Sequence, residues 1–93
     1  MRLSYTSRAK DDLEIAFAWY EEQRHWLGFE FLDCVEAAID TIVQMPKLYP
    51  KQHKSFRRAL VRRFPFSVFY TIEGKEVVVH AVFDNRQDPV RLP

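Results

Sequence analysis

Five arginines carry the clearest chemical signal in this chain. Arg57, Arg58, Arg62 and Arg63 stand in the run FRRALVRRF, and Arg86 stands in NRQDP. The first fifty residues hold five basic and nine acidic side chains, whereas residues 51–93 hold nine basic and four acidic ones. Such asymmetry turns the C-terminal half toward an anionic partner, or lets the two halves complement each other within the fold. Classical acid–base groups are sparse. His25 and His53 have no partner nearby in sequence, and His80, between Val79 and Ala81, has the setting of a packed strand residue. Cys34 is the only cysteine, which excludes an internal disulfide and a cysteine-based zinc site. Its spacing from Phe31, Val35 and Ala38 puts it on or beside an apolar helix face, as a buried, inert thiol.

These residues must be positioned by elements that the pattern of the chain predicts. Leu3 and Tyr5 alternate, so Arg2–Tyr5 is a plausible first strand. Ser7 is the expected helix N-cap, with Asp11 and Asp12 close behind it. From Arg8 to about Arg24, the residues Ala9, Leu13, Ala16, Phe17 and Tyr20 follow one helical face, and Ile15 and Trp19 widen it. Trp19 and Tyr20 are expected in the core. His25–Gly28 has the character of a tight turn between antiparallel helices. A second helix runs from about Phe29 to Met45, where Pro46 stops it. Lys47–Ser55 follows as a loop. Three strand-like segments come next: Phe56–Phe64, with arginines on both faces, then Phe66–Ile72 and Val77–Phe83. Glu73-Gly74-Lys75 joins the last two as a hairpin. Strict alternation puts Val77, Val79, Ala81 and Phe83 on one face of the final strand.

Ninety-three residues support one domain, spanning 1–93, with a single modest core. The order β-α-α-β-β-β predicts an α+β fold in which an N-terminal helical hairpin packs on one face of an antiparallel β-sheet. A composition of 47% hydrophobic and 29% charged residues is that of a globular protein and excludes a disordered one. No apolar run approaches the roughly 18 residues of a membrane span, and no signal-peptide pattern opens the chain. A cytoplasmic protein without membrane contact is expected.

Several pieces, taken in order, resemble a known family. They are Ala9–Leu13 (AxxDL), Trp19–Gln23 (WYxxQ), Met45–Pro50 (MPxxxP), Arg57–Tyr70 (RRALVRRFPFxVFY) and Asn85–Pro89 (NRQDP). Each is weak alone, but their order and spacing run nearly end to end. The chain is similar to the RelE/ParE superfamily of toxins from type II toxin–antitoxin modules, and closer to the ParE-like (plasmid stabilisation) members. That resemblance implies a compact α+β toxin fold, no cofactor, no metal, and a small cognate antitoxin that wraps the toxin as helix and strand. It also implies one of two targets. RelE-like members cut messenger RNA in the ribosome as endoribonucleases, while ParE-like members inhibit DNA gyrase by protein–protein contact and so arrest growth.

The residues favour the second activity. Cutting RNA through its 2′-hydroxyl needs a base, an acid and cationic stabilisation of the transition state. Lys51, Lys54, Arg58, Arg62 and Arg86 could supply cations, with His80 as the one candidate for proton transfer. The position after the last strand, where relatives often carry histidine, holds Asp84, and no tyrosine follows it. An inhibitor that works by binding needs only a shaped surface with anchor residues. The candidates for target or antitoxin binding are Arg57, Arg58, Arg62, Arg63, Arg86 and Trp26, beside aromatic residues of the kind enriched at interfaces. Asp84, together with Gln87 in place of an arginine common among ParE-like tails, also admits a degenerate member that binds an antitoxin without toxicity.

Overall fold

A computed structural model describes all residues, Met1–Pro93. The elements are β1 (Arg2–Tyr5), α1 (Ser7–Gln23), α2 (Leu27–Gln44), β2 (Lys51–His53), β3 (Phe56–Leu60), β4 (Phe66–Glu73) and β5 (Glu76–Asp84), followed by a 3₁₀ turn at Pro89–Arg91. The strands form one sheet in the order β1-β5-β4-β3-β2. The predicted α+β class and helical hairpin are present, with two changes to the sheet. It is mixed, because β1 runs parallel to β5. It also has a fifth strand, β2, inside the stretch expected to be a loop.

The helices form where the apolar period places them, but their ends differ. Thr6, not Ser7, caps α1, its hydroxyl accepting from the Ala9 N–H at 3.1 Å. The turn is also shorter than expected, because Leu27 and Gly28 already belong to α2. Trp26 takes the left-handed backbone conformation there, with φ 74°, a conformation that costs an L-residue roughly 1–2 kcal/mol. Glu21 of α1 satisfies the start of α2, accepting from the Gly28 N–H at 2.8 Å. Gly28 is required for packing. A Cβ at this position would lie 2.7 Å from the Glu21 side chain and 2.8 Å from Phe17.

Between hairpin and sheet, Tyr20 and Phe31 meet Phe64 and Phe66 with ring centroids 4.9–6.1 Å apart. Val35, Ile39 and Ile42 extend this core along α2 onto Val68, Tyr70, Val77, Val79 and Val82. Burying each such aliphatic side chain contributes roughly 1.5–3 kcal/mol. Ile15 and Trp19 do not join them. Ile15 is 70% exposed and Trp19 48%, because α1 meets the core along the stripe Ala9–Leu13–Ala16–Tyr20.

The final strand departs from strict alternation. Phe69 pairs with Ala81 but Tyr70 pairs with Val79, so His80 is the extra residue of a β-bulge. The bulge reverses the faces beyond it. Val77, Val79 and Val82 point to the helices, whereas Ala81 and Phe83 join Phe69 in a small cluster on the other face. The expected Val77–Val79–Ala81–Phe83 row is therefore split between the two sides.

The arginine strand ends early. Regular pairing stops at Leu60, so Arg62 and Arg63 lie in the turn to β4 and do not occupy strand faces. Arg63 adopts φ 68°, and the Val61 N–H donates to the Phe66 carbonyl to close the turn.

Candidate functional site

The antiparallel pairing of β3, β4 and β5 brings two distant stretches of the chain to one end of the sheet. These are the end of β3 with the β3–β4 turn, and the segment after β5. Arg58 projects on the face away from the helices, as Ser67 and Phe69 do. Its Nε donates to Ser67 Oγ at 2.8 Å and an Nη to Asn85 Oδ1 at 2.9 Å. The guanidinium carbon lies 5.4 Å from the centre of the Phe69 ring. This fixes a half-buried cation with neutral partners and no carboxylate. Asn85 anchors its own segment as well, its N–H donating to the Pro65 carbonyl at 2.8 Å.

The other arginines of the run serve different ends. Arg57 lies on the helix side and donates to the Tyr49 carbonyl, tying the loop before β2 to the sheet. Arg63 pairs with Glu30 of α2 at 2.9 Å. Arg62 is exposed in the turn between them and takes part in no ion pair. Lys51 and Lys54 are exposed on the far edge of the sheet, with Lys54 in the β2–β3 turn.

Arg86 stands beyond β5 and forms a fork with Asp84, at 2.9 Å from Nε and 2.8 Å from Nη2. Asp84, expected just after the last strand, is the final residue of β5, paired with Phe66, and it neutralises Arg86. Hydrogen bonding to Arg86 is the main cause that holds the Asp84 carboxyl below its usual range. The pair borders a cleft of about 600 Å³ between α1 and the C-terminal segment, lined by Asp12, Trp19, Tyr20, Phe83, Arg86 and Leu92 among others. Asp12 braces the cleft from α1, accepting the Val82 N–H at 3.0 Å. Burial pushes the Asp12 carboxyl upward. Trp19, expected in the core, instead presents its indole at this cleft.

His80 belongs to a separate group. Its Nε2 lies 2.8 Å from Thr71 Oγ1 and 3.5 Å from Glu73, and its ring meets the Phe56 edge at 4.9 Å. No hydrogen bond or ion pair links it to Arg58, Arg62 or Arg86. His25 and His53 are exposed. Cys34 is half-buried on α2, near Arg63.

Trp26 lies at the tip of the helical hairpin, 58% exposed, with Phe29 5.3 Å away and the His25 ring 4.3 Å away. Phe29 also packs edge-on against Phe17. Leu13, Phe17, Phe29 and Leu32 line a shallow apolar groove along the outer side of the hairpin. The sequence pattern pointed to Trp26 but missed this groove, because Leu13, which does pack against the core, and Phe17 were read as inner-face residues alone. It also missed Ser67, Asn85 and Glu30, which fix the arginines. Asn85 alone had a local signal, as part of NRQDP.

A helical hairpin over a β-meander, with arginines gathered at one end of the sheet, defines a small α+β domain of the toxin type. The family profile of the ParE toxin of type II toxin–antitoxin systems, parDE, matches residues 3–89, and the chain belongs to that family. The solved chromosomal ParDE toxin–antitoxin system from P. aeruginosa contains a chain of the same fold. The TM-score is 0.68 at 20% identity, over 90% of this chain and 95% of that one. No curated protein matches the sequence. No helix is long and apolar enough to cross a membrane.

Proposed function

We propose that this chain stops DNA gyrase by protein–protein contact and is held inactive by a cognate antitoxin. Membership of the ParE family supports the toxin–antitoxin context. The observation that carries the choice of mechanism is the placement of His80. Proton transfer in RNA cleavage requires a group within hydrogen-bond reach of the reacting atoms. The one strand histidine is instead engaged with Thr71, Glu73 and Phe56, apart from the arginines that would stabilise a phosphorane. Arg86, at an open cleft with Trp19 at its rim, together with Arg58 and Arg62 at the neighbouring end of the sheet, suits contact with a protein surface.

The antitoxin seats an amphipathic helix in the groove of Leu13, Phe17, Phe29 and Leu32, with Trp26 as an anchor at its end. The fork between Asp84 and Arg86 favours a second reading, in which binding persists and toxicity is weakened, because the arginine is already neutralised. Purified protein added to a supercoiling reaction decides between them. Loss of supercoiling at micromolar protein supports gyrase inhibition. No inhibition, with the antitoxin still bound, supports the weakened form. Cleavage of translated messenger RNA without gyrase inhibition transfers the protein to the RelE-like endoribonuclease mechanism.

A further inference from the structure

The charge of the β2–β3 edge is unbalanced, and the function proposed above draws on only Arg58 and Arg62 of it. Between Asp40 and Glu73 the chain has no acidic residue, yet it carries seven cations. Only Arg63 of these forms an ion pair. Arg57 is tied to a carbonyl and Arg58 to neutral side chains. Lys51, Lys54 and Arg62 are exposed. The segment folds as the outer edge of the sheet, with Lys54 in one turn and Arg62 in the other. The five residues of β3 between them span about 17 Å. Lys51 lies beside Arg57 on one face of the edge, and Arg58 lies on the other.

We propose that this edge is a sequence-independent contact surface for the phosphate backbone of duplex DNA. Three features select that partner. Uncompensated cations on a short rigid edge attract a regular row of phosphates. The edge strand itself is three residues long, irregular in register and rich in charge, which disfavours addition of a strand from another protein. Single-stranded nucleic acid calls for free aromatic platforms, whereas the nearest rings are engaged, Tyr49 against Tyr70 and Phe56 against His80.

The test is fluorescence anisotropy with two labelled duplexes of unrelated sequence, titrated from 50 to 200 mM salt. Contacts from Lys51, Lys54, Arg58 and Arg62 predict a slope of log K against log salt of roughly −3 to −4, equal for both duplexes. The double variant Lys51→Gln, Lys54→Gln should reduce the magnitude of the slope by about 2. Lys10→Gln, Lys75→Gln removes the same charge elsewhere and should leave the slope unchanged. Absence of binding at 50 mM salt overturns the proposal, as does an equal loss of slope in both double variants. Tighter binding to single-stranded RNA, or to a glutamate-rich peptide of equal charge, assigns the edge to a different partner and also overturns it. Gyrase inhibition is independent of this result, since a protein that stops supercoiling without binding DNA keeps the proposed function and loses this surface.

Discussion

Glu30 on α2 holds Arg63 of the β3–β4 turn with one carboxylate oxygen, at 2.9 Å, and Arg24 of the hairpin turn with the other, at 2.8 Å. One side chain therefore fastens two loops that are far apart in sequence. It also braces Arg63, which stands in the left-handed conformation next to Arg62. The two arginines hold the Glu30 carboxyl below its usual range, chiefly through hydrogen bonds, Arg63 first. A depressed acid contributes stability that is present above its unfolded pKa and lost as pH falls through the folded value. Chemical denaturation of Glu30→Gln should show a deficit against wild type at pH 7 that shrinks as the pH falls through the folded-state value of Glu30. High salt should shrink the deficit at neutral pH, since the pair is exposed. A deficit that persists at low pH would assign the effect to packing.

Arg86 and Asp84 make a second switchable pair. Arg86→Ala should abolish growth arrest while the thermal midpoint changes little, because the arginine side chain is 57% exposed. Asp84→Ala frees the guanidinium, and growth arrest should strengthen. Plate survival after induction, with circular dichroism on the purified variants, reads both effects. Retained toxicity in Arg86→Ala would remove this residue from the target surface.

Two isoleucines separate core from surface. Ile39 is 4% exposed and Ile15 70%. Truncation of Ile39 to alanine should cost roughly 2–5 kcal/mol by leaving a cavity, a large share of the total for a domain this small. Ile15→Ala should stay within about 0.5 kcal/mol. Urea unfolding of the two variants measures the contrast directly.

If the hairpin tip anchors the antitoxin as proposed, stability and recognition make opposing demands there. Trp26→Gly relieves a left-handed L-residue and should raise stability by up to about 1 kcal/mol, while antitoxin affinity measured by calorimetry falls. Gly28→Ala should do the reverse for stability, costing roughly 1–3 kcal/mol through the contact its Cβ makes with Phe17 and Glu21. Equal affinity in Trp26→Gly would exclude the indole as an anchor.

Much of this architecture was legible in the sequence because apolar period and turn chemistry agree over long stretches. The hairpin follows from the spacing of Ala9, Ala16, Tyr20, Phe31, Val35, Ile39 and Ile42, and the β4–β5 turn from Gly74, which takes φ 62°. What escaped depends on partners distant in sequence. Lys51-Gln52-His53 has no apolar residue to mark it, and becomes a strand only because β3 pairs with it. The bulge at His80 shows in register alone, since valines fill both faces of β5 and hide a change of parity. Arg62 and Arg63 continue the alternation of the strand, yet the chain must reverse before Pro65. For the site, residue type marked the arginines correctly, but their partners Ser67, Asn85 and Glu30 come from three other elements.

The parallel pairing of β1 with β5 has a consequence for synthesis. Arg2–Tyr5 leaves the ribosome before the helices and the rest of the sheet, but its partner is Glu76–Val79. The opening strand must wait, unpaired, until nearly the whole chain has emerged. Contacts so remote in sequence slow folding, and the apolar underside of α1 and α2 stays uncovered meanwhile. The order of translation thereby sets a delay before the complete fold exists, during which the hairpin is open to any partner that binds its apolar face.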